Sequence, residues 1–244
     1  MQNKPVYFIS DAHLGVDPAG AIPHREELLV NFLKSLKGAS SILFIVGDLF
    51  EFWYEYRYYI VRGHFPLFRA LADLVDSGTE VHYLAGNHDF ALSDFFPKEL
   101  GVAVHKTYVC EVQGRRIFLM HGDGIPKSDS GYRFARHIID APWARSLFRK
   151  IHPDLGMKIA RSVGRNSRKL GESRPIIIEE YLAAASRKMR ENNCDLCVHG
   201  HHHLSGLWKV PEGEVASPGQ WLFRLEYAKL EEGKIFIKSL QDLP

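Results

Sequence analysis

Five short polar clusters interrupt the apolar runs of this 244-residue chain: Asp11 and His13 in ISDAH, Asp48 in VGDLFE, Asn87, His88 and Asp89 in AGNHD, His121 in MHGD, and His201 and His203 in VHGHHH. Carboxylate oxygen, amide oxygen and imidazole nitrogen, with no thiolate, form a donor set suited to manganese, iron, zinc or a related divalent ion. Pooled, they are too many for one ion. Two ions roughly 3.5–4 Å apart need a shared ligand, and a carboxylate on a rigid turn can bridge them around a water or hydroxide. Asp48 is the candidate. Four of the 13 histidines, His199, His201, His202 and His203, fall within five positions deep in the chain, so a terminal expression tag is a poor explanation. In an extended strand His201 and His203 face one side while His202 points elsewhere. Taken singly, each cluster reads equally well as a strand-end turn, because Asp and Asn favour turns; five in order favour metal.

The elements that position these residues follow from periodicity. PVYFIS, SILFIVGD and EVHYLAGNHD read as strands. REELLVNFLKSLKG places Leu28, Leu29, Phe32, Leu33 and Leu36 on one helical face, and FPLFRALADLVDSG reads as a second helix. Strand alternating with helix predicts βαβ units with parallel strands. VQGRR reads as a hairpin turn between KTYVCE and RIFLMHGD, and after a helical stretch CDLCVHGHHH, GLWKV, WLFRLEYAKL and GKIFIKSL read as strands. Ligands of open α/β sheets sit beyond the carboxyl ends of the strands, which is where the five clusters fall.

Length and a 45% hydrophobic content fit a single domain over residues 1–244 with one insertion. No apolar run of about 18 residues and no basic-then-apolar start are present, so a cytoplasmic location is expected. Cys110, Cys194 and Cys197 give no disulfide framework, and the lone CxxC reads as packing rather than a zinc or redox site. The net charge of +2 hides an asymmetry. Between Lys127 and Arg174 twelve Lys or Arg stand against four Asp or Glu; taking these from the totals of 31 and 29 leaves 19 basic and 25 acidic residues elsewhere. One segment carries the positive field.

The order DxH, GD, GNHD, HGD and GHxH resembles the calcineurin-like metallophosphoesterases through most of the chain. The resemblance implies an α/β fold, a four-layer αββα sandwich of two mixed β-sheets flanked by helices, with metals at the strand ends. It implies one metal held by Asp11, His13, Asp48 and His203 and a second held by Asp48, Asn87, His121 and His201. Two dications neutralise phosphate oxygens and lower the pKa of the water they bind. The expected reaction is in-line attack by bridging hydroxide on phosphorus, with His88 protonating the leaving oxygen or stabilising charge and Asp89 orienting the His88 ring. Asp48, Asn87 and His88 are the expected catalytic residues. His199 and His202 are expected to shape or support the site.

GDLFEFW and HGDGIPKSDSGYRFARHIIDAPWARSLFRK, followed by GRNSRK, closely resemble the UDP-2,3-diacylglucosamine pyrophosphohydrolases of lipid A synthesis. That similarity implies hydrolysis of the substrate's diphosphate bond to UMP and 2,3-diacylglucosamine 1-phosphate, two manganese ions, and substrate contacts at His88, Asp129, Asn166, Ser167, Lys169 and His201. Residues 126–174 interleave Tyr132, Phe134, Trp143, Leu147 and Phe148 with arginines and lysines, the composition of basic amphipathic helices. They are expected to form a helical lid that encloses acyl chains and faces an anionic, peripheral inner-membrane surface. The aromatic run FEFWYEYRYY reads equally as core, rim or pocket wall. The best-known branch of that family has arginine where this chain has His88, and an imidazole lacks the bidentate fork. A general dinuclear phosphodiesterase or pyrophosphatase acting on another nucleotide-linked substrate is the alternative, and a non-catalytic scaffold the alternative of another class. Positive charge confined to one apolar segment speaks against nucleic acid as a partner, and no obligate protein partner is indicated.

Overall fold

A computed structural model describes residues 4–125, 141–159, 162 and 176–242. Its first sheet has six strands in the order β11-β10-β1-β2-β3-β4: β1 (Val6–Ile9), β2 (Ile42–Ile45), β3 (Glu80–Leu84), β4 (Ala103–His105), β10 (Glu226–Glu231) and β11 (Lys234–Ser239). The second has five, β5-β6-β7-β9-β8: β5 (Thr107–Val112), β6 (Arg115–Met120), β7 (Leu196–His199), β8 (Ser205–Val210) and β9 (Gly213–Pro218). Strands β1 to β4 are parallel and β10 runs against β1, while β6, β7 and β9 are parallel with antiparallel strands at both edges. Both sheets are therefore mixed.

Alternation along the buried strands builds the layers. Phe8, Phe44, Leu84 and Ala228 meet Ile117, Leu119, Val198 and Ala216 between the sheets. Their neighbours Ile9, Leu43, Ile45 and Tyr83 face outward onto α1 (Arg25–Leu36), α2 (Phe65–Asp76) and α3 (Phe95–Leu100). Phe118, Met120, Cys197 and Val215 face the other way onto Ala185 and Met189 of α5 (Ile178–Asn192). The result is the four-layer αββα sandwich that the strand order requires. Burial pushes the Cys194 and Cys197 thiols up, keeping them protonated, and Cys197 packs as an apolar side chain.

Helix α1 buries Leu29, Val30, Phe32, Leu33 and Leu36, close to the expected stripe, with Leu28 packed at its margin. The hairpin turns at Gln113 and Gly114, both with positive φ, the pairing that matches strand twist. WLFRLEYAKL departs from its reading as one strand. Trp221–Arg224 form a helical turn, α6, and only then does β10 begin. The cause is tertiary: Trp221 and Leu222 donate backbone N–H groups to Ser10 and Asp11 carbonyls, and Trp221 Nε1–H donates to Arg25 O at 3.0 Å. Strand β9 and helix α3 carried no strong periodicity and were not expected.

Register decides where the polar clusters go. Ile9 pairs with Ile45 and Ile45 with Tyr83, while Met120 pairs with His199. Strands that end level release their next residues together, at one edge of the sandwich.

Candidate metal centre

Five residues at that edge, Asp11, His13, Asp48, His201 and His203, have φ between 43° and 74°. Non-glycine residues in this left-handed region are uncommon and cost about 1 kcal/mol or more each. The strain turns each strand end sharply enough to aim its side chain across the edge. His201 and His203 thus meet the site from a loop beyond β7 rather than from an extended strand, and they diverge: Asp11, His13 and His203 gather in one group, Asp48, His121 and His201 in another, with the donor atoms of each within 4.8 Å of one another. His202 points away, against Tyr181, His199 and Trp208.

Asp48 stands between the groups. Its Oδ2 lies 3.2 Å from His121 Nε2 and 3.9 Å from His13 Nε2, while its Oδ1 accepts the His88 backbone N–H at 2.9 Å. Asp11 is held comparably. Ser10 Oγ–H at 2.5 Å and the His201 N–H at 3.1 Å donate to Oδ2, whereas buried Oδ1 has no closely aligned donor among the described residues and faces His203 Nε2 at 3.4 Å and His13 Nε2 at 3.8 Å. Asn87 Oδ1 lies 3.1 Å from His121 Nε2. His121 Nδ1–H donates to Val46 O at 2.8 Å, which leaves Nε2 turned to the site.

The electrostatics call for cations. Burial alone depresses an imidazole, yet hydrogen bonds to Asp11 and Glu51 and the charges of Asp48 and Asp11 lift His13 to about 10. Burial depresses His121 as well, but the Asp48 charge and hydrogen bond together with the charges of Asp11 and Asp123 raise it to about 10. Burial pulls the other way on Asp11 and Asp48, but the neighbouring histidines hold both carboxyls well below their usual range. His201, buried and beside His121, falls to about 4 and is a neutral imidazole. Buried carboxylates held as anions, a carboxylate oxygen with no closely aligned donor among the described residues and convergent ring nitrogens fit divalent ions, which bind deprotonated ligands.

A family model for calcineurin-like phosphoesterases matches residues 4–205. The chain belongs to this family. Among curated relatives, UDP-2,3-diacylglucosamine hydrolase from Porphyromonas gingivalis is 31% identical with both chains fully covered. The enzyme of that name from Escherichia coli strain HS is 30% identical over 83% of each chain, and that of Neisseria meningitidis serogroup A 29% identical over 96% of this chain and 98% of its own. The solved structure of an archaeal phosphodiesterase shares the fold at 11% identity, covering 97% of this chain and 99% of that one with a TM-score of 0.50.

The motif glycines of this phosphoesterase are spaces for the carboxylates. A Cβ on Gly86 would collide with Asp48 Oδ1 and stand 2.7 Å from the Asp48 backbone nitrogen, and one on Gly200 would collide with Ser10 Oγ and stand 2.7 Å from Asp11 Oδ2. Backbone cannot rotate away, so Gly86→Ala is expected to cost about 1–3 kcal/mol and to lower turnover by displacing Asp48. Thermal melts and turnover rates check this; an unchanged melt would contradict the crowding.

Asp89 does not orient the His88 ring. It accepts from the backbone N–H groups of Asp48 and Gly86, both at 2.9 Å, and from Tyr83 O–H at 2.6 Å, pinning the Asp48 and Asn87 turns together. Burial and the Asp48 charge raise it to about 7. His88 instead donates Nδ1–H to Glu51 O at 2.7 Å, and its ring meets His13 edge-on at 4.7 Å; burial lowers it, so it is neutral. His202 Nδ1 accepts the Leu204 N–H at 3.1 Å and steadies the histidine loop, while His199 lies buried behind it. Asp129, Asn166, Ser167 and Lys169 lie outside the described residues, as does most of 126–174. Sequence reasoning missed Ser10, Tyr83, Glu51 and Arg25, whose buried guanidinium donates to the His13 and Val16 carbonyls. Only Glu51 had a visible signal, a carboxylate inside the aromatic run GDLFEFW.

Proposed function

We propose that the chain hydrolyses the diphosphate bond of UDP-2,3-diacylglucosamine to UMP and 2,3-diacylglucosamine 1-phosphate, a step of lipid A synthesis, using two manganese ions. The observation that carries this reading is Asp48 Oδ2, set between His13 and His121; relatives named for that substrate along the whole chain support it. Asp11, His13, Asp48 and His203 would hold one ion, and Asp48, Asn87, His121 and His201 the other. Bound there, such ions neutralise phosphate oxygens and acidify water. The chain's own groups do the rest. His88, tied through Nδ1 to Glu51 O, has Nε2 for the substrate, and His201 borders the same phosphate position. Asp129, Asn166, Ser167 and Lys169 belong to the same proposal, as sugar or phosphate contacts on a lid formed by residues 126–174 within a single domain.

The enzyme acts at an anionic membrane surface. Among the described residues no helix is long and apolar enough to cross a bilayer. Tyr58, Tyr59 and Phe65 are 77%, 67% and 67% exposed, and the stretch 56–72 holds Arg57, Arg62 and Arg69 with no acidic residue. Phe148 of α4 (Pro142–Phe148) packs on Phe52, Tyr54 and Tyr56, and Trp143 and Leu147 of the same helix are exposed. Aromatic rings with cations suit the bilayer interface. Replacing Arg57 and Arg62 by Gln is expected to weaken partition onto vesicles containing phosphatidylglycerol by about 2 kcal/mol, roughly thirty-fold; flotation measures it, and equal flotation of both proteins would refute the surface.

Incubation with manganese and UDP-2,3-diacylglucosamine is expected to release UMP. His88 in place of arginine favours the second reading, a phosphodiesterase for another nucleotide-linked substrate, and cleavage of simple diesters without UMP release from the diacyl substrate would select it.

A further inference from the structure

His13 and His121 occupy corresponding places in the two donor groups, yet their outer nitrogens have different partners. His121 Nδ1 donates to a neutral backbone carbonyl, Val46 O. His13 Nδ1 donates to a carboxylate, Glu51 Oε2, at 3.1 Å. Glu51 is 4% exposed and belongs to neither ligand set. It is clamped between the loops it serves: its N–H donates to the carbonyl of Leu14, next to His13, at 2.9 Å, its carbonyl accepts from His88 Nδ1–H, and Trp53 N–H returns to His88 O at 3.0 Å. The carboxylate oxygen also lies 3.8 Å from His88 Nδ1, so one residue addresses both rings, His13 through its side chain and His88 through its backbone.

The acceptor behind a ligating imidazole fixes its tautomer and sets how strongly it donates to a metal, and an anionic acceptor raises that strength more than a carbonyl does. We propose that Glu51 is a positioning residue that makes the two metal positions unequal, tightening the ion held with His13 while leaving the ion held with His121 to a weaker neutral partner. This rests on the dinuclear reading above. Glu51→Gln preserves shape and an acceptor but removes the charge; Glu51→Ala removes both and leaves the carbonyl that holds His88.

The test is manganese titration of the metal-free, full-length protein by calorimetry, with paramagnetic resonance at each step, for wild type, Glu51→Gln and Glu51→Ala. Circular dichroism establishes that each is folded, the Gln variant guarding against collapse of the Ala one. The expected result is two binding events in wild type and, in both variants, one event weakened roughly 10–100-fold with the other unchanged. As the weakened event moves toward the unchanged one, the variants show an isolated ion over a narrower range of manganese before the coupled pair forms. Two events left unchanged, or weakened equally, overturn the role of Glu51 and leave the dinuclear reading standing. Wild type that binds no manganese overturns both.

Discussion

Asp48→Asn is expected to lower manganese-supported turnover by about 10³-fold or more, about 4 kcal/mol of barrier, while the protein stays folded. The asymmetry comes from the two oxygens of the carboxylate. Oδ1 is structural, taking the His88 N–H, and an amide oxygen can keep that bond; Oδ2, between His13 and His121, supplies the charge that an amide lacks. Asparagine thus separates chemistry from architecture better than alanine, which would leave a buried N–H unpaired at a cost of about 1–3 kcal/mol. Turnover at saturating manganese with far-ultraviolet dichroism decides the matter. Wild-type turnover in the folded variant would remove Asp48 from the centre of the site.

Stripping the metal with a chelator is expected to abolish turnover and lower the melting temperature, and adding manganese to restore both. At a concentration one hundred times the dissociation constant, one ion stabilises the fold by about 2.7 kcal/mol, or about 5–10 °C for a chain of this size. The pH dependence has a definite sign. In the metal-free protein His13 and His121, raised from 6.5 to about 10, contribute stability that is complete below about pH 6.5 and is lost as pH climbs toward 10. Manganese must displace those protons, so its binding strengthens over the same interval. The melting difference between loaded and stripped protein is therefore expected to widen from pH 6.5 to 9. Melts across that range check it, and a difference that narrows with pH would show that other groups control binding.

Much of the layer order was readable because buried parallel strands write themselves as apolar runs: FIS, LFIVGD and HYLAGN each end at the site. The turn at Trp221 was not, because its helical geometry comes from backbone bonds to Ser10 and Asp11, partners more than two hundred positions away. Asp89 shows the same limit. Adjacent to His88 in the chain, it serves Tyr83, Gly86 and Asp48 instead, since neighbours on a tight turn face opposite ways.

By itself, the sequence determined which donor atoms are available and that they follow strands, because residue type sets ligand chemistry and alternation sets strand ends. Tertiary structure alone decided how they are shared. Level registers bring the ends together, left-handed φ values aim them, and the split of His201 from His203 assigns each to a different group. Buried Glu51 and Ser10 acquire their roles only there, since a hydrogen bond across packed loops leaves no trace in the order of residues.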